Sequence, residues 1–381
     1  EFDEAFYYDG HDLGVTYTKE ASTFKVWSPI ATQVKVEVQT KDGIETYDLT
    51  KGDKGVWSIT ISQDLELASY IYLVKVNGTW NQATDPYAIA STPNHQRTVI
   101  VDSEKIKMDS KRELAPEVKS YTDAIIYEMH VRDFSVHKNS GIKHVGKFLG
   151  VVEEGTRTSR GTLTGLDYLV DLGVTHIQLL PIFDFAGVDE NFPEQSYNWG
   201  YNPVQYNVPE GSYALNPKDP YSRINELRTM VNILHEHGFG VIMDVVYNHV
   251  YERRTFPFDA MVPTYFYRYD YQGMPSDGTG CGNDLATERL MVRKYILDSV
   301  KFWVEEYGID GFRFDLMGII DVDTMNEIRQ LCEELYPSIL LYGEGWDMNT
   351  PLPQAQKAAK FNAFKLPRIG HFNDAFRDNI K

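Results

Sequence analysis

The chain has 381 residues, of which 42% are hydrophobic and 24% are charged, as in ordinary folded globular proteins. Its formal net charge of −18 argues against nucleic acids and anionic membranes as partners, because both are negatively charged themselves. No uncharged apolar run approaches the roughly 18 residues of a membrane-spanning helix.

Residues 13–102 contain short stretches in which apolar and polar side chains alternate. Val34, Val36 and Val38, for example, alternate with Lys35 and Glu37. Alternation of period two, interrupted by Asp-Gly and Asn-Gly pairs, is typical of antiparallel strands joined by tight turns. We therefore predict a small β-sandwich over residues 1–105, and we interpret the polar, strand-free stretch 106–120 as a linker.

The pattern changes from about residue 121, where β-branched apolar runs alternate with amphipathic helices. The runs cover residues 125–134, 174–183, 240–249, 309–317 and 339–346. One helix between them carries Ile224, Leu227, Val231 and Leu234 on a single face. Apolar strands alternating with helices predict a parallel sheet covered on its outer side, either in an open doubly wound fold or in a (β/α)8 barrel.

Ionisable side chains lie at the ends of the predicted strands, and this placement favours the barrel over the doubly wound fold. These side chains are Asp244, His249, Arg313, Asp315 and Glu344. In a barrel all strands open their carboxyl ends on one face, so residues from several strands converge there. No glycine-rich phosphate loop follows the first strand, which weakens the doubly wound alternative. We therefore predict a multidomain α and β protein in which a (β/α)8 TIM barrel over residues 121–381 follows the β-sandwich.

Asp315 and Glu344 are the candidates for the carboxyl pair of a glycosidase, in which one acid protonates the leaving oxygen and a second carboxylate attacks or activates water. Arg313 lies two residues before Asp315 on the same strand face, so we expect its guanidinium to keep Asp315 ionised at neutral pH. If the two strands are neighbours, the carboxyl groups can lie ~5–5.5 Å apart, as in a retaining enzyme. Each residue alone also has a structural interpretation, such as an ion pair for Asp315 or a hydrogen-bonded core histidine for His249.

Several segments resemble the α-amylase family, glycoside hydrolase family 13. Its first three conserved regions are similar to Asp-Val-Val-Tyr-Asn-His at 244–249, Gly-Phe-Arg-Phe-Asp at 311–315 and Gly-Glu-Gly-Trp at 343–346. The most specific resemblance is to type I pullulanases, whose seven-residue signature resembles Tyr-Asn-Trp-Gly-Tyr-Asn-Pro at 197–203. Gly-Cys-Gly-Asn-Asp at 280–284 is similar to the same group. The sandwich resembles the carbohydrate-binding module 48 that precedes the barrel in α-glucan debranching and branching enzymes.

This resemblance implies hydrolysis of α-1,6-glucosidic bonds in pullulan and branched α-glucans, with retention through a covalent glycosyl intermediate. It makes Asp315 the nucleophile and Glu344 the general acid/base. Arg313 and His249 are expected to contact the sugar next to the scissile bond, and Tyr201 to stack on that sugar.

The remaining residues that the resemblance implicates are expected to support the site. Asp244 is expected to brace Arg313 rather than to take part in the chemistry. Three side chains are expected to shape the cleft around the branch point, namely Trp199, Met317 and Trp346.

The predicted reaction requires no cofactor, and the sequence has neither a dense cluster of metal ligands nor EF-hand-like spacing. Its acidic loops can still bind a structural calcium ion. The two cysteines, Cys281 and Cys332, show no disulfide framework, and two free thiols slightly favour a cytoplasmic location over a secreted one.

A complete barrel has eight strands, whereas the sequence shows five and a candidate sixth near His371. The segments that resemble the family do not include a fourth conserved region, which bears the third carboxylate of the family. We therefore expect the remaining strands on a further part of the polypeptide or on a second chain, and no measurable hydrolysis without them.

Three alternatives remain open from the sequence. An isoamylase-like glycogen debranching enzyme has the same fold, although the 197–203 segment argues against it. A catalytically incomplete α-glucan-binding protein is the alternative from another functional class. A metal-dependent barrel enzyme is disfavoured, because His249 and the separated carboxylates form no ligand cluster.

Overall fold

The computed structural model describes residues 1–106 and 111–381, and its N-terminal part is a β-sandwich. One layer has the strand order β1-β2-β6-β5, and the other has the order β4-β3-β7-β8, with β9 paired to β7. The strands are β1 (Gly14–Tyr17), β2 (Ser22–Trp27), β3 (Gln33–Thr40), β4 (Gly43–Asp48), β5 (Thr50–Lys51), β6 (Val56–Ile61), β7 (Ser69–Val76), β8 (Thr79–Ala83) and β9 (Thr98–Val99).

The alternating pattern of β3 produces the predicted burial. Val34, Val36 and Val38 are buried in the sandwich core. The turn from β7 to β8 is formed by Asn77 and Gly78, whose φ angles are 51° and 77°. A two-residue hairpin turn of this kind requires left-handed backbone at both positions, which Asn and Gly adopt at little cost.

The C-terminal part contains a sheet of six parallel strands in the order β10-β11-β14-β15-β16-β17. An antiparallel pair, β12 and β13, is inserted after β11. The strands are β10 (Ile126–Met129), β11 (His176–Leu179), β12 (Phe183–Phe185), β13 (Pro203–Pro209), β14 (Gly240–Val245), β15 (Gly311–Phe314), β16 (Leu340–Gly343) and β17 (Gly370–His371).

The order of the parallel strands distinguishes between the two predicted architectures. Each strand of the six pairs with the next one along the chain, without the reversal that defines a doubly wound sheet. This order is that of a (β/α)8 barrel, of which the sheet forms the first six strands. The predicted fold, a β-sandwich followed by an incomplete barrel, is confirmed, and β17 is the sixth strand expected near His371.

Helices cover the outer side of the parallel sheet. The predicted face of Ile224, Leu227, Val231 and Leu234 is buried in the helix that follows β13. The helices are α1 (Phe2–Phe6), α2 (Val131–Val136), α3 (Phe148–Val151), α4 (Gly165–Leu172), α5 (Pro220–Glu236), α6 (Pro257–Met261), α7 (Leu290–Tyr307), α8 (Val322–Leu335) and α9 (Asp374–Ile380). None of them, within the described ranges, is both long enough and apolar enough to cross a lipid bilayer.

The sandwich packs against the outside of the barrel through hydrogen bonds as well as apolar contacts. Ser28 donates its hydroxyl hydrogen to the carbonyl oxygen of Met261 at 2.5 Å. Tyr87 donates to Asp298 Oδ2 at 2.8 Å, and Tyr295 donates to the carbonyl oxygen of Pro86 at 2.6 Å. The sandwich therefore contacts α6 and α7.

Part of the predicted linker 106–120, residues 107–110, lies outside the described residues. Elsewhere in this stretch, Ile106 is buried and Arg112 reaches the barrel. The Arg112 guanidinium donates to the carbonyl oxygens of Val304 at 2.9 Å and Ile309 at 3.1 Å. At Arg112, therefore, the stretch is hydrogen-bonded to the barrel.

Within the described ranges, one group of carboxylates lies close enough together to bind a metal ion. Asp184, Glu190 and Glu210 each have a carboxylate oxygen within 4.8 Å of the others, and all three side chains are buried. The guanidinium of Arg223 lies 3.1 Å from Glu190 Oε1, and Gln205 donates to Asp184 Oδ2 at 2.7 Å. Burial raises the pKa of Asp184 well above its ordinary value and raises the pKa of Glu210 to about 8.

The carboxylate oxygens of this cluster already have hydrogen-bond donors within the protein. Both oxygens of Glu190 already accept hydrogen bonds from Arg223. Both oxygens of Glu210 accept backbone N–H groups, from Phe185 at 2.8 Å and from Ser212 at 3.1 Å. Arg223 offsets part of the negative charge of the three carboxylates, and a bound proton removes a further buried negative charge.

This cluster predicts a stability that falls as the pH rises. Glu210 has a pKa of about 8 in the folded state, against an ordinary value of 4.5. The stabilisation from this raised pKa is fully present below pH 4.5 and is lost as the pH rises through 8, so the free energy of unfolding should fall by roughly 3–4 kcal/mol between pH 5 and pH 8. Asp184→Asn should show a smaller fall, because asparagine cannot ionise and can still accept from Gln205.

Urea unfolding of the wild type and of Asp184→Asn at several pH values measures this difference. An identical pH slope in the two proteins would contradict it. Calcium chloride at pH 8 gives a control, since a metal site would stabilise the wild type and not the variant.

Candidate active site

The predicted site residues converge at the carboxyl ends of three neighbouring parallel strands. Asp244 lies in β14 and is paired in register with Arg313 in β15. Asp315 is the first residue after β15, and Glu344 is the first residue after β16. Because β15 pairs with both β14 and β16, these side chains lie on adjacent strands at nearly the same level.

The guanidinium of Arg313 holds all three carboxylates. Its Nη1 donates to Asp244 Oδ1 at 2.9 Å and to Asp315 Oδ1 at 3.2 Å. Its Nη2 lies 2.9 Å from Glu344 Oε1. The side chains of Asp315 and Glu344 are 13% and 21% exposed, whereas that of Asp244 is fully buried. Two carboxylates are therefore open to a ligand, and the third is sealed behind them.

The Asp244 carboxylate accepts hydrogen bonds from two other residues of the site. Its Oδ2 accepts the hydroxyl of Tyr201 at 2.6 Å, and its Oδ1 accepts from Arg313. Burial raises the pKa of Asp244, and Arg313 opposes that shift. These contacts are those expected of a brace for Arg313.

The ionisation of Asp315 depends on burial as well as on Arg313. Burial raises the pKa of Asp315 to about 6, and this effect exceeds the opposing effect of Arg313. Arg313 lowers this pKa as expected, but burial outweighs its effect, because the carboxylate lies largely out of contact with water. With a pKa of about 6 the group is still mostly ionised at pH 7.

This shift predicts an acid limb in the activity of the protein. If Asp315 is the nucleophile that the resemblance implies, it must be ionised, and kcat/KM should fall as the pH drops through about 6, the pKa of Asp315. Initial rates on pullulan between pH 4 and pH 8 would show this limb. A rate that stays constant down to pH 4 would contradict the predicted shift.

The ring of His249 makes its contacts within the protein. The ring is buried, which lowers its pKa to about 4. Its Nε2 lies 3.0 Å from the carbonyl oxygen of Tyr201, and its Nδ1 lies 2.5 Å from Asn248 Oδ1. Both ring nitrogens are therefore engaged by the protein, and in this structure His249 holds the backbone of Tyr201 rather than presenting a free nitrogen to a sugar.

Tyr201 and Trp199 come from the segment 197–203, which precedes β13. The Tyr201 ring lies 6.0 Å from the Arg313 guanidinium, beside the carboxylates. Trp199 is 60% exposed, and its indole N–H donates to the hydroxyl of Tyr197 at 2.9 Å. That hydroxyl in turn donates to Asp133 Oδ2 at 2.7 Å. The Trp199 ring is thus exposed to solvent, and a hydrogen bond from its indole N–H fixes its orientation. A residue that shapes a cleft needs both properties.

Met317 and Trp346 differ in their exposure. Met317 is fully buried, and a side chain at Gly343 would lie 2.9 Å from its sulfur. Met317 can therefore shape the cleft only from behind the strand, through its packing against the backbone. Trp346 is half-buried, and Lys360 Nζ lies 5.3 Å from its ring.

Two further contacts to the carboxylates were not predicted from the sequence. Asn248 donates its amide N–H to Asp315 Oδ2 at 3.0 Å, and the backbone N–H of Leu316 donates to Glu344 Oε2 at 3.0 Å. Asn248 was visible as a polar residue at a strand end, but its partner was not. Leu316 has a φ of 43°, a left-handed conformation that no sequence feature of a leucine indicates.

Comparison with protein families gives two matches along the chain. Residues 12–88 match carbohydrate-binding module 48, the isoamylase N-terminal domain. Residues 153–271 and 250–352 match the alpha amylase catalytic domain. The second match contains Asp244, Arg313, Asp315 and Glu344.

Individual relatives are similar over the full length of the chain. A pullulanase of Bacillus subtilis (strain 168) is 50% identical over 382 residues, which cover 100% of this chain and 52% of that protein. The crystal structure of a pullulanase from Anoxybacillus sp. LM18-11, complexed with maltotriose, has a TM-score of 0.98 and 51% identity, over 100% of this chain and 55% of that one.

A third relative is also a pullulanase, from Paenibacillus barengoltzii, in complex with maltohexaose and alpha-cyclodextrin. Its structure has a TM-score of 0.97 and 49% identity, over 100% of this chain and 60% of that one. The chain spans about half the length of the curated pullulanase that it matches at 50% identity.

Proposed function

Because the chain belongs to the α-amylase family, with a carbohydrate-binding module 48 ahead of its catalytic domain, we propose that the protein is a retaining α-glucan debranching hydrolase. The observation that carries this proposal is the pair of cleft carboxylates, Asp315 and Glu344, held by the single guanidinium of Arg313. A glycosidase needs such a pair, one member as nucleophile and the other as acid and base.

In the first step Asp315 attacks the anomeric carbon of the sugar. A bond forms between a carboxylate oxygen of Asp315 and that carbon, while the bond to the leaving glycosidic oxygen breaks. Glu344 gives its proton to the leaving oxygen. In the second step Glu344 takes a proton from water, and the water oxygen displaces Asp315 from the anomeric carbon. Two displacements at one carbon retain its configuration.

Contacts within the protein orient both carboxylates for these steps. Asp315 presents Oδ1 to Arg313 and Oδ2 to Asn248, which orients the group before a substrate arrives. Glu344 is oriented by Arg313 at Oε1 and by the backbone N–H of Leu316 at Oε2. Arg313 also stabilises whichever carboxylate is charged during the reaction.

The choice of the α-1,6 bond rests on the relatives. Those with 49–51% identity over the whole chain are named pullulanases, and two of their structures contain maltotriose or maltohexaose with alpha-cyclodextrin. These ligands support an α-glucan as the ligand of this protein as well. The exposed ring of Trp199, two residues before Tyr201 in the chain, is a suitable surface for a glucosyl unit.

Digestion of pullulan tests this proposal, because pullulan consists of maltotriose units joined by α-1,6 bonds. Maltotriose as the sole product indicates α-1,6 hydrolysis, whereas panose or isopanose indicates α-1,4 hydrolysis and overturns the bond assignment. Faster hydrolysis of glycogen than of pullulan would favour the isoamylase-like alternative. Binding of pullulan without release of reducing sugar would favour a non-catalytic α-glucan-binding protein.

We also propose that further strands complete the barrel between β10 and β17, the two edges of the six-stranded sheet. Ile125 and Ile126, at the β10 edge, are 58% and 38% exposed, which suits a surface that pairs with another strand. These strands come either from a further part of the polypeptide or from a second chain. The intact mass of the protein tests this, since a sole species near 43.7 kDa would contradict it.

A further inference from the structure

The segment 276–285, which contains the Gly-Cys-Gly-Asn-Asp stretch, has no part in the mechanism described above. It lies in the connection between α6 and α7 and returns to the end of β14. Gly280 and Gly282 have φ angles of 72° and 95°, a left-handed backbone that glycine adopts without strain. The two glycines turn the chain so that the residues after them face the backbone at 248–250.

The Asp284 side chain stabilises this turn through hydrogen bonds. Its carboxylate is fully buried and accepts the backbone N–H groups of Gly278 at 2.8 Å and Thr279 at 2.9 Å. It also accepts the hydroxyls of Ser276 at 2.5 Å and Thr350 at 2.9 Å. Four donors on one buried carboxylate give the segment a defined position relative to the barrel.

The neighbouring residue, Asn283, uses this position to hold the chain after β14. Its side-chain Oδ1 accepts the backbone N–H of Val250 at 2.9 Å, and its Nδ2 donates to the carbonyl oxygen of Val250 at 2.8 Å. The backbone N–H of Leu285 donates to the carbonyl oxygen of Asn248 at 3.0 Å. The segment therefore binds residues 248 and 250 on both sides of His249.

Asn248 connects this contact to the nucleophile. It is fully buried, and its amide donates to Asp315 Oδ2 at 3.0 Å and to the carbonyl oxygen of Asp315 at 2.7 Å. We infer that Asn283 is a positioning residue for the reaction, which acts through Val250 and Asn248 on the carboxylate of Asp315. This inference rests on the proposed function, in which Asp315 is the nucleophile.

The chemistry of the contact explains why an asparagine occupies position 283. One primary amide supplies both the acceptor for an N–H group and the donor for a carbonyl group, as a neighbouring strand would. An aspartate keeps the acceptor but places a second oxygen against the Val250 carbonyl. Because Asn283 is 1% exposed, water does not replace a lost hydrogen bond there.

Kinetics of single and double variants test the inference. Asn283→Ala and Asn283→Asp should each lower kcat on pullulan roughly 10- to 100-fold, because a small displacement of a reacting group has effects of that size. KM should change little, because residue 283 is buried away from solvent. In an Asn248→Ala background, Asn283→Ala should produce no further loss of kcat, because its effect passes through Asn248. The exposed Gln272→Ala, in the same connection, is the matched control and should leave both constants unchanged.

Losses that add in the Asn248→Ala/Asn283→Ala double variant would overturn the inference, as would unchanged kcat in both Asn283 variants. A crystal structure of Asn283→Ala gives a readout that does not need activity. We expect the hydrogen bond from Asn248 to Asp315 Oδ2, 3.0 Å in the wild type, to be lengthened or broken. An unmoved Asn248 would refute the role of Asn283 even if the wild type proves inactive on pullulan, an outcome that by itself would contradict only the proposed function.

Discussion

The substitution Asp315→Asn should lower kcat on pullulan by at least about 10⁴-fold, the scale seen when a catalytic nucleophile is removed. Asparagine keeps the shape of the side chain, but its amide does not form the covalent bond to the anomeric carbon. Affinity for maltotriose should be largely retained, because the residues around the carboxylate stay in place. Reducing-sugar release and calorimetric titration with maltotriose measure the two quantities.

Glu344→Gln is the matched variant, because it makes the same change from carboxyl to amide on the neighbouring strand. We expect a loss of about 10²- to 10⁴-fold on pullulan, the range for removal of a general acid. Its loss should be much smaller on an aryl α-glycoside whose leaving group needs no protonation, whereas Asp315→Asn should remain inactive on it. Near-wild-type rates in either variant, or equal behaviour on the activated substrate, would refute the assignment of roles.

Arg313→Met should destabilise the protein by about 3–5 kcal/mol, the range for breaking a buried ion pair by removing one partner. Arg313 contacts three carboxylates, and Asp244 among them is fully buried. Without the guanidinium Asp244 must take up a proton or remain charged without a partner. Urea unfolding followed by tryptophan fluorescence measures the loss, and hydrolysis of pullulan should disappear with it.

Two variants show whether the loss has this cause. Asp244→Asn combined with Arg313→Met should recover part of the stability, because the unpaired buried charge is then absent. Arg368→Met makes the same change at an ion pair with Glu333 that is 47% and 38% exposed on its two sides. We expect it to cost only about 0–1 kcal/mol. A double variant no more stable than Arg313→Met would show that the carboxylate is not the source of the loss.

The elements of the fold could be predicted from the sequence because their signals are local. Alternation at Val34, Val36 and Val38 predicts a strand with one buried face, and the apolar runs that end at Asp315 and Glu344 predict parallel strands. Strand ends in such a sheet meet at one edge, so the convergence of these residues also followed from the pattern. Their chemical roles came from the resemblance to the α-amylase family and stay predictions until the variants are measured.

The properties that depend on distant partners were decided only by the tertiary structure. Burial, which no local pattern reports, raises the pKa of Asp315 against the effect of the adjacent Arg313. The same packing buries Met317 and engages both ring nitrogens of His249 in contacts within the protein. The contact of Asn283 with Val250 joins residues 33 positions apart in sequence. The sequence by itself determined which groups stand at the carboxyl ends of the strands, and the packing around them decided which are exposed, charged and oriented, because those properties arise from contacts between distant segments.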